Sequence, residues 1–227
     1  MNTGFIAYDT NHLKSDQVLN QWFPMASEDS LKGSKVFLVP FKPRPARETV
    51  FTHRPAQSIG GHPDEMAQAL GLSVEHCEST DQIPHGMDAY VVLGVGLLPD
   101  DFVEMETVVN AHPGLIPYSR GLDSFKWAIY NQRPVGVTLH RLSPEVDMGA
   151  VWCKRETPVL PNDTLKSFAR RHYELEISVL SRFEMFLNSE PEPVDPNEAV
   201  PATKRMPAEK EKELWEAFQR YKVNYGK

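Results

Sequence analysis

The sequence is poor in cysteine, with only Cys77 and Cys153 among its 227 residues. The two lie far apart in the chain, and neither belongs to a closely spaced set of cysteines. This spacing argues against a disulfide framework and against a cysteine-based metal site. We therefore expect both thiols to be reduced, in or near the core of a cytoplasmic protein.

The sequence also lacks a basic stripe and any apolar run long enough to cross a bilayer. Its formal net charge is −7, whereas nucleic-acid binding depends on clustered Lys and Arg. The first residues, MNTGFIAYDTNHLKSD, show no charged start followed by a long apolar stretch. We expect a protein that is not exported, has no membrane contact and has no nucleic-acid partner.

The length of the chain allows one substantial α/β domain, but not two ordinary domains and a linker. We predict a doubly wound, mostly parallel twisted sheet over residues 1–188. Residues 189–207 are predicted as a linker, of which residues 189–200 are rich in Pro and Glu and have no way to bury surface. A short helical tail is predicted within residues 208–227, as a helix from about Ala208 to Tyr221.

Apolar runs bounded by turn residues predict the strands and helices. The predicted strands are Thr3–Tyr8, Lys35–Pro40, Leu72–His76, Asp88–Leu93, a strand from Val108 towards Asn110, and a hairpin-like pair at Val135–Leu142 and Ala150–Thr157. The predicted helices begin at Ser15 or Asp16, begin at Pro63, span Asp123–Asn131, and run from Thr164 to about Leu187 with Asp163 as the cap. The strand at Asp88–Leu93 is apolar on both faces and so belongs in the sheet centre.

Three polar residues follow apolar runs and suggest acyl chemistry. Asn110 and His112 are two residues apart on an extended segment, so their side chains project the same way and can donate to one oxygen. Asp147 comes after the next apolar run and could take a proton from an attacking amine. Taken singly, Asn110 reads equally as a turn residue, His112 as a buried structural histidine and Asp147 as a turn acid.

The ordered pattern from Asn110 to Gly149 resembles the catalytic core of the formyltetrahydrofolate-dependent formyltransferases. The matched residues are Asn110, His112, Pro113, Leu115, Pro117, Arg120, Gly121, Gly136, Thr138, His140, Asp147 and Gly149. The triplet Trp127-Ala128-Ile129 is most similar to the nucleotide-sugar N-formyltransferases. The polar loop after the first strand departs from the branch that formylates glycinamide ribonucleotide, because it lacks phosphate-cradling glycines.

The resemblance implies a role for each catalytic residue. Asn110 would hold the formyl oxygen, and His112, protonated, would supply the second donor to it. Asp147 would orient His112 and accept the proton, directly or through water. His140 would support this group by packing or hydrogen bonding. No metal ion is implied, because these residues are accounted for without one.

The resemblance further implies two ligand sites. Folate, as 10-formyltetrahydrofolate, would lie between two loops and be held largely by main-chain groups; these loops contain Leu93, Gly94, Val95, Gly96, Leu97 and Leu98, and Leu142, Ser143, Pro144, Glu145 and Val146. The acceptor would be bordered by Asp9, Thr10, Asn11, Arg120, Gly121 and Trp127. Two alternatives stay open: Gly94 and Gly96 as a plain turn, and Asp9 to Asn11 as a turn and helix cap.

Two other features, a long loop and a histidine on a helix, have simple structural interpretations. The loop over residues 41–62 carries Lys42, Arg44, Arg47, His53 and Arg54, and is either a solvated connection or a flap over an anionic substrate. His172 lies on the apolar side of the long helix and is expected to be a satisfied core or interface histidine.

We expect an enzyme that moves the formyl group of 10-formyltetrahydrofolate to the amino group of a small molecule, in particular a nucleotide-linked amino sugar. The first alternative is a formyltetrahydrofolate hydrolase, whose members resemble the chain less because they carry an N-terminal regulatory domain that we do not expect here. The second is a folate-binding module without chemistry. No second β-barrel domain like that of the methionyl-tRNA formyltransferases is expected, and a homodimer is left open.

Overall fold

The computed structural model of the chain describes residues 1–43, 45 and 47–226. Its strands are β1 (Thr3–Tyr8), β2 (Lys35–Val39), β3 (Ser73–His76), β4 (Ala89–Val92), β5 (Val108–His112), β6 (Gly136–Arg141) and β7 (Val151–Glu156). Its helices are α1 (Leu13–Trp22), α2 (Glu28–Gly33), α3 (Pro63–Ala69), α4 (Asp100–Met105), α5 (Ser124–Tyr130), α6 (Leu165–Ser181), α7 (Glu184–Leu187), α8 (Ala208–Lys212) and α9 (Leu214–Tyr225).

These strands form one seven-stranded sheet in the order β3-β2-β1-β4-β5-β6-β7. The first five strands in the chain pair in parallel, whereas β6 runs antiparallel to both β5 and β7. β4 therefore occupies the middle of the sheet, as its two apolar faces predict. The expected α/β fold with a mostly parallel sheet is confirmed, and the antiparallel β6–β7 pair is confirmed with it.

Alternation along β1 divides the core between the two faces of the sheet. Phe5 packs on the face that α1 and α6 cover, in edge contact with Trp22 at a ring-centroid distance of 4.7 Å. Ile6 points to the opposite face, where Phe102 of α4 covers it. Each of these side chains is fully buried or nearly so, and such burial contributes about 1.5–3 kcal/mol per large apolar side chain.

A second core joins the C-terminal helices to the sheet domain. Phe125 of α5, Phe168 of α6 and Phe218 of α9 meet there, with the rings of Phe168 and Phe218 stacked at 5.5 Å. The predicted terminal helix is present as α8 and α9 instead of one continuous helix. Its amphipathic face packs on α5 and α6, so the tail is an integral part of the molecule.

The segment between α7 and α8 is ordered against the domain. Glu192 exchanges two main-chain hydrogen bonds with Val151, at 2.7 and 2.8 Å, and Met206 is fully buried in the second core. No residue from 189 to 200 is fully buried, but the predicted linker is held against the domain, and its last part is buried at Met206. Composition favoured disorder, but main-chain hydrogen bonds do not depend on side-chain type. The division of the chain into three units stays a prediction.

Two helix starts differ from the predicted ones. The cap of α1 is His12, whose ring nitrogen accepts from the backbone of Ser15, so neither Ser15 nor Asp16 is the cap. The cap of α6 is Thr164, which forms a reciprocal capping box with Ser167. Asp163 lies one residue before the cap, and its carboxylate forms an ion pair with Arg171. The hydrogen bond from Arg171 is the main reason that the pKa of Asp163 falls to about 2.

The long predicted helix also ends early, at Ser181, and the short helix α7 follows it. The interruption brings Phe183 into the main core, where its ring meets Phe5 edge to face at 6.0 Å. The short helices α2 and α4 were missed altogether, because segments of six residues carry too little periodicity to be recognised.

Candidate active site

A cavity of about 810 Å³ opens at the carboxyl ends of β1, β4 and β5, where doubly wound sheets commonly bind ligands. The predicted residues that line it are Leu93, Gly94, Val95, Leu97, Asn110, His112, Gly121, Val146 and Asp147. Asn110 and Gly94 were expected to be neighbours at adjacent strand ends. The pairing of β4 with β5 and their shared cavity confirm this.

Asn110 and His112 lie on one face of β5, as their spacing requires, opposite His140 and Thr138 of β6. The amide nitrogen of Asn110 is 3.4 Å from His140 Nε2, while His140 Nδ1 donates to the carbonyl of Arg141 at 2.9 Å. His140 is buried, and burial lowers its pKa to about 4. His140 is therefore a neutral acceptor that orients the Asn110 amide. The second N–H of that amide remains available to a ligand.

Asp147 follows β6 in a loop and is brought back over β5. Its backbone has a left-handed φ of 50°, and one carboxylate oxygen accepts from the Gly121 amide at 2.7 Å. The other oxygen lies 3.3 Å from His112 Nδ1 and 3.8 Å from His140 Nε2. The loop thus presents a fixed carboxylate to the histidine at the floor of the cavity.

The surroundings of His112 indicate a neutral ring. Burial lowers its pKa and outweighs the opposing effects of Asp147 and of the Ser119 carbonyl. His112 Nε2 is 2.9 Å from that carbonyl and 3.1 Å from Ser124 Oγ, whose own proton goes to the carbonyl of Gly121 at 2.8 Å. Both neighbours of Nε2 act as acceptors, so Nε2 carries the proton.

That His112 is protonated and donates to the formyl oxygen stays a prediction, although its lowered pKa and the two acceptors at Nε2 favour the neutral ring. A neutral His112 has a single N–H group, and Ser119 and Ser124 occupy it. The lone pair of His112 Nδ1 faces the Asp147 carboxylate, so these two residues together can accept one additional proton. Gly114 leaves space for this ring, since a Cβ there would lie 2.6 Å from His112 Nε2.

Arg120 and Trp127 do not reach the cavity. Arg120 is buried and donates to the carbonyls of Val146 and Val200, at 2.6 and 3.0 Å, and to Glu145 at 2.9 Å. Trp127 donates its indole N–H to the carbonyl of Lys204 at 2.7 Å. Both residues hold protein segments that border the cavity, instead of lying against a ligand.

The other predicted ligand contacts lie outside this cavity. Leu98 and Leu142 pack towards the core behind it, and Gly96 lines an adjoining cavity of about 500 Å³. Ser143, Pro144 and Glu145 continue the loop that Arg120 clamps, outside the cavity lining. Asp9 lies 3.5 Å from His62 and 3.4 Å from His76, Asn11 donates to the carbonyl of Gly60 at 3.0 Å, and Thr10 also lies outside the cavity.

Three charged residues meet at the cavity; Lys14 and Glu176 were not predicted, and Arg54 was named only as part of a possible flap. Glu176 of α6 is buried, with Lys14 Nζ 3.0 Å from one carboxylate oxygen and the guanidinium of Arg54 on the other. Burial alone would raise the pKa of Glu176, but Arg54 and Lys14 together lower it to about 2. One signal was available, because Glu176 lies one turn from His172 on the apolar face of α6.

The loop over residues 41–62 becomes partly a wall of this cavity. His53 and Arg54 line it, while Phe51 is buried in the second core and Arg47 pairs with Asp123 at 3.2 Å. Lys42 lines the adjoining cavity. Arg44 lies outside the described residues.

Three histidines beside the cavity are uncharged supports. His12 lines the cavity, and burial lowers its pKa to about 4. Its ring fills the space beside Gly94, where a Cβ would lie only 2.5 Å from it. Burial also lowers the pKa of His53 well below its usual value. His172 is buried against Thr157 with a contact of 2.8 Å, consistent with the core role expected for it.

Within residues 1–43, 45 and 47–226, no helix is long and apolar enough to cross a membrane. The same residues contain no group of three or more His, Cys, Asp or Glu side chains that could hold a metal ion.

Comparison with known proteins adds to this geometry. A family model described as formyl transferase matches residues 18–183. The dTDP-4-amino-4,6-dideoxyglucose formyltransferase of Mycobacterium tuberculosis is 28% identical over 135 residues, covering 56% of this chain and 58% of that protein. The phosphoribosylglycinamide formyltransferase of Haemophilus influenzae is 32% identical over 73 residues, covering 32% of this chain and 34% of that protein. The chain thus spans about a third of one relative and somewhat over half of the other.

Solved structures with a similar fold include a sugar N-formyltransferase from a Shewanella species, with a TM-score of 0.59 and 19% identity over 96% of this chain and 88% of that one. An N-formyltransferase from Helicobacter canadensis, in complex with folinic acid and dTDP-3-aminofucose, has a TM-score of 0.61 and 13% identity over 88% of this chain and 70% of that one. At these identities the similarity establishes a shared fold.

Proposed function

This chain belongs to the formyl transferase family, and we propose that it transfers the formyl group of 10-formyltetrahydrofolate to the amino group of a nucleotide-linked amino sugar. The observation that carries the proposal is the contact between His112 and Asp147, 3.3 Å apart at the floor of the strand-end cavity, with Asn110 on the same strand face. A folate-binding module without chemistry has no physical need for this arrangement.

In the proposed reaction, the acceptor nitrogen attacks the formyl carbon, a C–N bond forms, and the formyl oxygen becomes negative. The free N–H of Asn110 donates to that oxygen, and one such donor typically lowers the barrier by about 3 kcal/mol. The proton released by the nitrogen goes to the neutral His112 and Asp147 pair. It then passes to N10 of the folate as the bond from N10 to the formyl carbon breaks, giving a formamide and tetrahydrofolate.

The protonated His112 directs both of its N–H groups at protein acceptors, so it stabilises the oxyanion through its positive charge, and only after it has accepted the proton. Asp147 stabilises this imidazolium in the buried site and keeps its Nδ1 directed at the carboxylate. Ser119 and Ser124 position the ring from the other side. The order of events therefore places proton transfer before full charge stabilisation by His112.

We propose that folate lies against the wall formed by Leu93, Gly94, Val95, Leu97 and Val146, which exposes apolar surface to the cavity. Leu97 is 90% exposed and Val146 50% exposed, so both have surface to bury under a flat ring. A similar fold from Anoxybacillus kamchatkensis is described in complex with tetrahydrofolate and a UDP-linked formamido sugar, at 18% identity and a TM-score of 0.53. That complex supports the proposed pair of ligands by analogy of fold.

The test is incubation of the protein with 10-formyltetrahydrofolate and a panel of UDP- and dTDP-linked amino sugars, followed by mass spectrometry. A mass gain of one formyl group on one acceptor is the expected result, with Asp147→Asn as the inactive comparison. Formate release that is independent of every acceptor would instead identify a hydrolase. Neither product, together with an unchanged melting temperature in excess folinic acid, would refute the proposal, since a ligand at a hundred times its Kd adds about 2.7 kcal/mol.

A further inference from the structure

The chain segment over residues 202–205 forms one wall of the active-site cavity, although it lies beyond the part of the chain that matches the family model. We call Ala202, Thr203, Lys204 and Arg205 the C-terminal wall, since all four line the cavity. The wall stands beside Gly121, whose amide also holds Asp147 at 2.7 Å. It is therefore adjacent to the proposed chemistry and structurally connected to it.

The C-terminal wall is fixed in place by main-chain contacts. Thr203 forms a β-bridge with Gly121, supported by bonds from Thr203 N to the carbonyl of Arg120 at 2.9 Å and from Leu122 N to the carbonyl of Thr203 at 2.8 Å. The Trp127 indole holds the carbonyl of Lys204. The backbone that carries Lys204 and Arg205 is thus held in place by the protein itself, which lowers the entropic cost of binding.

The two basic side chains of this wall are little neutralised. Among the described residues, Lys204 Nζ has no hydrogen-bond or ion-pair partner, and the residue is exposed. Arg205 is 43% exposed and reaches Asp123 only at 3.8 Å. Asp123 is itself shared, because it accepts from Arg47 at 3.2 Å and from the backbone of Met206 at 3.0 Å.

The cavity as a whole carries a positive excess in an acidic protein. Four cationic side chains line it, Lys14, Arg54, Lys204 and Arg205, against three carboxylates, Asp123, Asp147 and Glu176. All three carboxylates already accept hydrogen bonds or ion pairs from the protein. The histidines His12 and His53 add no charge, because burial lowers the pKa of each. Lys14 and Arg54 both contact Glu176, whereas Lys204 has no such contact among the described residues and Arg205 has only the one at 3.8 Å, so the least neutralised cations lie on the C-terminal wall.

We infer that Lys204 and Arg205 form the subsite for the diphosphate of the acceptor, an inference that rests on the proposed function. A compact ammonium beside a planar guanidinium provides the donors that phosphate oxygens accept. In a nucleotide-linked amino sugar the diphosphate, the sugar ring and the amine follow one another. Gly121 gives the cavity the same order, since it connects the C-terminal wall on one side with Asp147 on the other.

A second source of anionic groups is the glutamyl carboxylates of the folate, so the experiment separates the two. Calorimetric titrations with UDP, dTDP, uridine, thymidine and folinic acid are compared for the wild type, Lys204→Ala, Arg205→Ala and the double variant. Lys154→Ala is the matched control, because Lys154 is an exposed lysine of β7 outside the cavity. All titrations are repeated at two salt concentrations, since partly exposed charges are screened by salt.

Each single substitution is expected to weaken diphosphate binding about fivefold at low salt and the double substitution more, with less effect at high salt. Nucleoside and folinic acid affinities and the Lys154→Ala titrations should stay unchanged. In turnover assays the variants should raise the acceptor KM and keep kcat. Unchanged diphosphate affinity, an equal loss for the nucleosides, or a loss confined to folinic acid would each overturn the subsite. So would a wild type that binds neither diphosphate.

The binding and turnover readouts fail independently. If the diphosphate affinities shift as expected but no formyl transfer to any amino sugar occurs, the proposed function fails while the anion subsite stands. If formyl transfer occurs and the variants leave KM and diphosphate binding unchanged, the subsite fails while the proposed function stands.

Discussion

Two walls of one cavity are built in different ways. The strand-end wall, which we define as Gly94, Asn110, His112 and Asp147, lies at the ends of β4 and β5 and in the loop after β6, within the range matched by the family model. The C-terminal wall lies beyond that range and carries exposed cations. In the first, side chains position one another over distances of 3–4 Å, whereas the second is attached through its backbone. We infer that reaction chemistry belongs to the strand-end wall and acceptor recognition to the other.

The largest effect is expected from Asp147→Asn, which keeps an oxygen for the Gly121 amide and removes the proton acceptor beside His112. Turnover should fall about a thousandfold, equivalent to about 4 kcal/mol in the barrier. The double variant with His112→Ala should be little worse than the poorer single variant, because the two act as a unit. Steady-state kinetics and melting temperatures on the same preparations test this. Folded, folate-binding variants with near-normal turnover would refute the assignment.

The next largest effect is expected at the buried ion pair between Lys126 and Glu211, which attaches the helices after the C-terminal wall to the domain. Lys126 is 1% exposed, and its ammonium lies 2.6 Å from Glu211 of α8, which also accepts from the backbone of Val50 at 2.6 Å. Glu211→Ala leaves this buried ammonium unpaired and should lower the free energy of unfolding by about 3 kcal/mol. Glu209→Ala, which removes only an exposed pair with Lys212, is the control and should change it by less than about 0.5 kcal/mol. Urea unfolding that does not distinguish the two variants would contradict this.

His140, which lies behind the strand-end wall, and Glu211 of α8 should also respond differently to acid. The pKa of His140 is about 4 in the folded protein because of burial, below the unfolded value of 6.5. A lowered histidine pKa contributes stability that is complete above pH 6.5 and is lost as the pH falls from there towards 4. By pH 5 the loss should be about 2 kcal/mol. The Glu211 carboxylate, whose pKa is also lowered, stays charged in this range and loses its contribution only below its ordinary value of 4.5.

Urea unfolding at pH 7, 6 and 5 measures this difference, with His140→Gln as the comparison because glutamine does not titrate. The wild type should lose more stability than His140→Gln over this interval, by about the 2 kcal/mol expected for one histidine. Parallel curves for the two proteins would show that the burial of His140 does not produce the acid response.

The smallest effect should come from Trp127→Phe, which keeps the aromatic contact with Lys210 and removes the indole bond to the carbonyl of Lys204. One such bond is worth about 1 kcal/mol. The acceptor KM should rise by no more than a few fold while kcat is kept, since only the C-terminal wall is loosened. A fall in kcat without any change in KM would assign Trp127 to the chemistry instead.

The sequence predicted the strand-end wall well because its information is local. Asn110 and His112 share one strand, and the apolar runs around them fix the strands that carry them. The charge state of His112 was not predictable in the same way. It depends on complete burial and on two acceptors, Ser119 and Ser124, which are brought to Nε2 by the chain reversal after β5.

Elements assembled from distant segments were not predicted. The cluster of Lys14, Arg54 and Glu176 joins two helices and a loop, and no local pattern relates them. The segment that contains Met206 was predicted as part of a linker, because its composition does not show which main-chain groups of the domain it will bond to. In both cases the structure depends on burial and on contacts with distant segments, which the periodicity of the sequence does not show.

The β-bridge between Gly121 and Thr203 has a consequence for how such an enzyme acquires new acceptors. Main-chain attachment is indifferent to the side chains at Ala202, Lys204 and Arg205, so mutation can alter these three positions while the segment keeps its path. The attachment of this segment to Gly121, which holds Asp147, runs through the main chain and would be kept under those changes. On the proposed function, acceptor preference can therefore change through substitutions in this short segment, while the fold that carries the catalytic residues stays the same.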